Sequence, residues 1–454
     1  MQQQQTSRGS FGSKVGVIMA AAGSAVGLGN IWRFSTETGN NGGAAFILLY
    51  VLCVALLGLP LMVSEFLIGR HTHANTATAY AMLAPGTPWK WVGRAAVLSG
   101  TIIMCYYVVV AGWTLYYLGE SLTGGLSGVT DYGAMFDDFV SSPWKPVVAM
   151  LIFMGMTHAV IVMGVQKGIE RSSKVMMPML LLIVGVLVVC SFSMPGSYEG
   201  MRFLFKPDFS KVTGDVALSA MGQAFYSLSL AMGCLCTYAS YFSSSANLLR
   251  TAGSVAVIDT FVAVMAGLII FPAVFSVPGL RPDAGPGLVF ITLPHVFEMA
   301  FAHAPVLGYV FSVLFYLLLV VATLTSAISL HEVPTVFFHE RMGVSRHQAA
   351  WITTIVCSAV GVLCALSFGP LAEFKMMGMS IFDWFDYVPS KVLMPLGGML
   401  TCIMVGWYLD RRLVESELSN EGTLRLRLLR AYIFCVRYVS PIAIALVFIN
   451  QLLS

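Results

Sequence analysis

Eleven apolar stretches follow one another along this chain, each near the length of about 20 residues that a helix needs to cross a bilayer. They run at roughly 14–37, 44–69, 95–120, 146–165, 173–194, 217–242, 253–278, 305–337, 349–368, 383–409 and 430–452. The polar intervals between them are short, and no separate soluble domain fits. Charge agrees. Only 10% of the 454 residues are charged and 57% are hydrophobic, where soluble domains carry about 25% charged residues. A soluble enzyme, a disordered chain and a nucleic-acid binder are all excluded. A net charge of +3 with no basic run offers phosphates no track. The chain reads as an all-α polytopic membrane protein whose surroundings are a lipid bilayer.

The nine cysteines, among them Cys234 and Cys236, all lie inside apolar stretches, so no external disulfide framework is visible. Met1 precedes four glutamines rather than a basic signal-peptide start, and the first apolar segment is expected to stay in the mature protein. With the N-terminus cytoplasmic, inner loops collect sixteen Lys and Arg, outer loops six, and spans three. Cytoplasmic loops carry the basic excess. The expected topology in the cell's inner (plasma) membrane is therefore N-terminus in and, after eleven crossings, C-terminus out.

Two spans carry the wrong residues for plain helix. The first holds Gly23-Ser-Ala-Val-Gly-Leu-Gly-Asn30, and the sixth holds Ser227-Leu-Ser-Leu-Ala-Met-Gly233. Glycine costs about 1 kcal/mol per helix position relative to alanine, and polar side chains at membrane depth need partners. Both features predict helices broken at their centres. Breaks at matching positions of two halves point to a transporter of inverted repeats with its site at the breaks. The repeats would be 14–195 and 217–409, five helices each, with 430–452 left over. The competing reading is close helix packing through Gly23-x-x-x-Gly27.

The stretch Gly23 to Phe34 resembles the first-helix signature of the neurotransmitter:sodium symporter family. Further similar elements follow in order: Asn41-Gly-Gly-Ala-Ala-Phe46, Gly58-Leu-Pro-Leu61 with Glu65 and Gly69-Arg70, and Lys167-Gly-Ile-Glu-Arg171. Later come Gly222-Gln-Ala-Phe-Tyr-Ser-Leu-Ser229, Thr237-Tyr-Ala-Ser-Tyr241, Phe290-Ile-Thr-Leu-Pro294 and Leu324-Thr-Ser326. The resemblance implies the 5+5 inverted-repeat (LeuT-type) fold in the family's eleven-helix bacterial branch. It further implies a sodium symporter working by alternating access. A monomer is expected to suffice for transport, and a dimer stays open.

The same resemblance implies two sodium sites. One would use the Ala25 carbonyl with Asn30, Ser227 and Asp259. The other would use the carbonyls of Gly23, Val26 and Ala322 with the hydroxyls of Thr325 and Ser326. Hard oxygens and half-helix ends suit a small cation. The competing reading of Thr325 and Ser326 is hydroxyl bonding to their own preceding turn. Asp259 stands where several relatives carry asparagine, and Ala263 where chloride-dependent members carry serine. An anion beside bound sodium offsets cation repulsion, so transport is expected to be chloride-independent. Alternatively, Asp259 is a helix-end residue, solvated or paired with Arg250.

By resemblance, the substrate carboxylate would meet backbone N–H groups near Leu28 and Gly29 and the Tyr107 hydroxyl. Its amine would meet carbonyls near Ala25, Tyr226 and Ser227. Ser24, Ile103, Tyr107, Tyr226, Ser229, Met232 and Leu330 would line the side-chain pocket, with Ser326 close by. Gly27 replaces the aspartate of monoamine carriers, which favours an amino acid, neutral and hydrophobic or aromatic. Arg33 is expected to pair with Asp386, with Asp383 as the rival, above Tyr107 and Tyr226. Arg8 and Glu340 resemble a cytoplasmic latch, with Phe11 and Tyr241 beside it. Glu65 and Glu332 are membrane-embedded acids, each a protonated structural group or a proton-coupling site. His71 and His73 read as solvated at a helix end. A non-transporting sensor on the same fold is the second reading. A channel lacks a charge-lined pore, and no catalytic constellation supports an enzyme.

Overall fold

The structure is a computed structural model that describes residues 9–277, 287–424 and 428–453. Among the described residues it is helical throughout, apart from one bridge between Met376 and Met379. Nine helices there are long and apolar enough to cross a membrane, from Ala44–Thr72 to Leu429–Leu452. A tenth crossing forms if Lys14–Ala25 and Gly29–Asn40, bent by 58°, are one span. The stretch expected at 217–242 folds as Gly214–Ser227 and Cys234–Ala239, each too short to cross alone.

Local chemistry sets where helices begin. Ser13 Oγ accepts the Gly16 N–H at 3.0 Å, and Asn75 Oδ1 accepts that of Thr78 at 3.0 Å. Ser345 and Gln348 form a reciprocal capping box. Such caps satisfy donors that the first helical turn leaves free. Two helices outrun the apolar stretches that announced them, as Lys90–Thr123 and Pro305–Met342. Their polar ends continue the backbone ladder beyond the hydrocarbon-length core, with long side chains able to reach water.

The Lys90–Thr123 helix is the most enclosed span and packs along Pro305–Met342. It carries Trp113 and Tyr117 into the interior. Glycine decides one further contact. A Cβ at Gly69 would lie 2.1 Å from the Cys236 carbonyl oxygen, so the Ala44–Thr72 helix presses backbone against the Cys234–Ala239 segment. None of the nine cysteines forms a disulfide. Cys234 and Cys236 are buried in the core.

Candidate functional site

Both glycine- and hydroxyl-rich spans are interrupted. In the first, Val26 turns extended (φ −70°, ψ 112°) after Lys14–Ala25. In the second, residues 228–233 carry no helix. Ser229 (φ 53°), Ala231 (φ 61°) and Gly233 (φ 81°) adopt left-handed backbone there. For the two non-glycine residues this costs on the order of 1–3 kcal/mol each and persists only where neighbours hold it. Glu65 Oε1 accepts the Ala231 N–H at 2.6 Å, and the Ser229 hydroxyl donates to the Ser24 carbonyl at 3.0 Å. Close packing accompanies the break rather than replacing it. A Cβ at Gly27 would sit 2.6 Å from Ser326 Oγ.

Between the interruptions lies a cavity of about 40 Å³. Ser24, Ala25, Gly27, Leu28, Gly29, Ile103, Tyr107, Tyr226, Ser227, Ser229, Met232, Ser326 and Leu330 all line it. Tyr106 and Ser329 join them, two residues that sequence reasoning missed. No lining side chain is charged. Ser24 Oγ donates to Ser329 Oγ at 2.8 Å, which ties the first break to the Pro305–Met342 helix. Ser329 does not stand out in sequence, because an isolated serine in an apolar run carries no periodic signal.

On one flank of the cavity Asn30, Ser227 and Asp259 converge. Asn30 Nδ2 donates to Asp259 Oδ1 at 2.7 Å, and Ser227 Oγ donates to Asp259 Oδ2 at 2.8 Å. The Tyr50 hydroxyl, unpredicted, donates to Asp259 Oδ2 at 3.2 Å. Asp259 is fully buried, and among the described residues no Lys, Arg or His forms an ion pair with it. The reading of Asp259 as solvated or paired with Arg250 is thereby corrected; helix Leu248–Phe275 carries it two turns beyond Arg250 into the interior. A buried carboxylate is costly without a cation or a full set of donors. This oxygen cluster suits a small hard cation. As arranged, Asn30 Oδ1 accepts the Gly27 N–H at 2.9 Å. Its amide oxygen would reach a cation beside Asp259 only after the amide turns over.

A second oxygen cluster lies at the other side of the first break. Ser326 Oγ donates across to the carbonyls of Val26 at 3.0 Å and Gly23 at 3.5 Å. Thr325 Oγ1 donates to the Ala322 carbonyl at 2.9 Å. The backward bond considered for both hydroxyls thus describes Thr325 and not Ser326. A Cβ on Gly23 would lie 3.2 Å from Thr325 Cβ, so the five groups share one small volume.

Toward one end of the cavity, the Arg33 guanidinium lies 4.3 Å from the Tyr226 ring centroid. The expected Arg33–Asp386 ion pair is not closed in this arrangement. Asp386 sits beside Tyr106 and Lys391 as well as Arg33, which divide its interactions. Asp383 accepts from the Ser380 hydroxyl at 2.6 Å at a helix start instead. At the other end Phe11 packs edge-on against Tyr241, ring centroids 6.1 Å apart, and donates its N–H to the Tyr241 carbonyl at 3.2 Å. Arg8 lies outside the described residues. Glu340 accepts from the Asn75 N–H and side-chain amide at 2.9 and 2.7 Å. Tyr241 also donates to Glu332 at 2.7 Å, and Arg346 grips the same carboxylate at 2.9 and 2.7 Å. Arg346 was missed because only folding brings the helix start at 346 beside Glu332.

His71 and His73 are both exposed to solvent, and each also meets one protein oxygen. His71 Nδ1 lies 2.8 Å from Glu417 Oε1, and His73 Nδ1 lies 3.0 Å from the Ser240 carbonyl. Arg70 holds the same Glu417, donating from Nη2 to Oε2 at 2.6 Å. Burial pushes the Glu417 carboxyl up, but hydrogen bonds from His71 and Arg70 outweigh it and hold the group below its usual range.

Comparison with known proteins places this geometry in context. The chain is 38% identical to the uncharacterized sodium-dependent transporter YhdH of Bacillus subtilis over 443 residues, 97% of either chain. It is 33% identical to an uncharacterized sodium-dependent transporter of Haemophilus influenzae over 458 residues, 98% of either chain. The crystal structure of MhsT in complex with L-phenylalanine superposes with a TM-score of 0.88 at 42% identity, covering 98% of this chain and all of that one. The profile of the sodium:neurotransmitter symporter family matches residues 8–132 and 133–454. Breaks, oxygen clusters and profile agree, and the chain belongs to the sodium:neurotransmitter symporter family.

Proposed function

We propose that this protein is a sodium-coupled symporter importing a neutral hydrophobic or aromatic amino acid by alternating access, without need of chloride. The observation that carries this reading is the pair of oxygen clusters flanking one uncharged cavity at two facing helix breaks. One sodium ion would bind among Ala25, Asn30, Ser227 and Asp259. A second would bind among Gly23, Val26, Ala322, Thr325 and Ser326. Asp259 supplies the anion that offsets sodium charge, and Ala263 leaves no hydroxyl for chloride.

The substrate's carboxylate would take the N–H groups near Leu28 and Gly29, the Tyr107 hydroxyl and the first sodium. Its amine would take carbonyls near Ala25, Tyr226 and Ser227. Ile103, Met232 and Leu330 leave an apolar seat for the side chain. The phenylalanine bound to MhsT supports a substrate of this class. Tyr107 and Tyr226 line this cavity and would close over the bound amino acid. Contact between carboxylate and sodium makes each raise the affinity for the other. Eleven spans arranged as repeats 14–195 and 217–409 with helix 430–452, N-terminus cytoplasmic and a self-sufficient monomer complete the reading.

The test is uptake of labelled phenylalanine or leucine into proteoliposomes under an imposed sodium gradient, with a panel of competing amino acids. Expected is concentrative uptake that disappears without sodium and persists when gluconate replaces chloride. Uptake indifferent to sodium overturns the coupling, and uptake that collapses in gluconate overturns chloride independence.

A further inference from the structure

Away from the transport cavity, a groove of about 580 Å³ opens where the first turns of Lys90–Thr123 pass the last turns of Pro305–Met342. Its volume lies within the roughly 300–1,000 Å³ of small-molecule pockets. Its two ends differ in chemistry. Lys90, Arg94 and Arg341 form one end, and Leu98, Phe337 and Phe338 line the body. Among the described residues, none of the three cations has a carboxylate within 4.0 Å. Glu340, next to Arg341 in the chain, bonds Asn75 instead. Three cations therefore line a concave surface with no protein anion among the described residues to meet them.

Depth and position identify the complement. At 1.5 Å per helical residue, Lys90 to Thr101 spans roughly 16 Å, about half the 30 Å hydrocarbon thickness of a bilayer. Trp91 is 60% exposed beside the basic end, with the Arg94 guanidinium 4.7 Å from its ring centroid. Exposed tryptophan marks the membrane–water boundary. The groove thus runs from that boundary into one leaflet, cationic at the surface and apolar below.

We propose that this groove is a binding site for one anionic glycerophospholipid. Its phosphodiester would be held by Lys90, Arg94 and Arg341, and one acyl chain would lie along Leu98, Phe337 and Phe338. The basic end faces the cytoplasm in the orientation given under Proposed function, on which this inference rests. Anionic lipids populate that leaflet, and basic pockets between helices there capture their headgroups. A free phosphate compound gains nothing from the apolar body, and a zwitterionic lipid gains little from three cations.

The experiment uses the full chain, delipidated in detergent and titrated with phosphatidylglycerol or phosphatidylcholine of equal chain length, with bound lipid counted by native mass spectrometry. Two variants accompany the parent: Lys90→Gln/Arg94→Gln/Arg341→Gln, and Ala81→Trp, which fills the groove from its wall. Expected is one phosphatidylglycerol bound far more tightly than phosphatidylcholine. The charge variant should bind it on the order of 100-fold more weakly, since each of the three cations near an anionic surface contributes about a factor of five. The Ala81→Trp variant should lose the tight lipid while keeping its charge, and it decides alone if the charge variant does not fold. Glycerophosphoglycerol, the headgroup without chains, should not displace the lipid. Parent-like affinity in either folded variant, equal binding of both lipids, or displacement by the free headgroup overturns the site. Sodium-driven uptake by the same preparations reports separately on the transport reading.

Discussion

The Glu65 carboxylate reaches from the Ala44–Thr72 helix to the centre of the second break and receives the Ala231 N–H at 2.6 Å. That N–H belongs to a residue with φ 61°, so an acid on one helix fixes the strained backbone of another. Glu65→Ala should leave the amide without an acceptor, a loss of about 1–3 kcal/mol for a buried group. Thermal unfolding in detergent should show a lowered midpoint, with Glu65→Gln, which keeps an acceptor oxygen, close to the parent. Equal midpoints for parent and Glu65→Ala would remove the anchoring role.

Asp259 gathers Asn30, Ser227 and Tyr50 around one buried carboxylate. Replacing it with asparagine keeps the shape and removes the charge. Charge attraction at such range amounts to several kcal/mol even at a dielectric near 20, so the sodium concentration for half-maximal uptake should rise at least about tenfold. Uptake measured against sodium concentration decides the point.

Arg33 lies over the Tyr226 ring at 4.3 Å. A cation–π contact contributes from about 0.5 kcal/mol when exposed to about 2 kcal/mol when desolvated. If the pair caps the cavity, Arg33→Gln should release bound labelled amino acid roughly 2- to 30-fold faster on dilution. An unchanged off-rate would assign the cap elsewhere.

Glu332 is fully buried and held by Arg346 and Tyr241. Removing one partner of a buried ion pair costs about 3–5 kcal/mol. Arg346→Ala should therefore destabilise far more than Tyr241→Phe, and Arg346→Ala with Glu332→Gln should recover much of the loss. Thermal midpoints of the parent, Arg346→Ala, Glu332→Gln and the double variant provide the double-mutant comparison.

Glu417 lies beyond the spans, bonded to Arg70 and His71. Its carboxyl is held low in the folded chain, so its contribution is fully present above the ordinary glutamate value of about 4.3 and is lost as pH falls through the lower folded value. The parent's stability should thus drop more between about pH 5 and 3 than that of Glu417→Gln. Parallel curves for the two proteins would dismiss the linkage.

The class, nine of the expected spans and both interruptions are legible because apolar length and glycine content act locally. Gly23 to Gly29 and Ser227 to Gly233 announce their breaks by residue type alone. The residues around the cavity were named through resemblance, since nothing in the spacing of Ile103, Tyr107 and Leu330 tells one buried face from another. Partners fixed by approach in space were the ones missed or misassigned. Arg346 meets Glu332, Glu417 meets His71, and Tyr50 meets Asp259 only once distant helices are laid side by side.

The contact at Gly69 has a mechanical corollary. Chain pressed against chain with no side chain between has nothing compressible to absorb sliding, and the Cys236 carbonyl leaves no room for even one methyl group. The C-terminal half of the Ala44–Thr72 helix and the Cys234–Ala239 segment are therefore coupled like one lever, so a tilt imposed on one would be passed to the other.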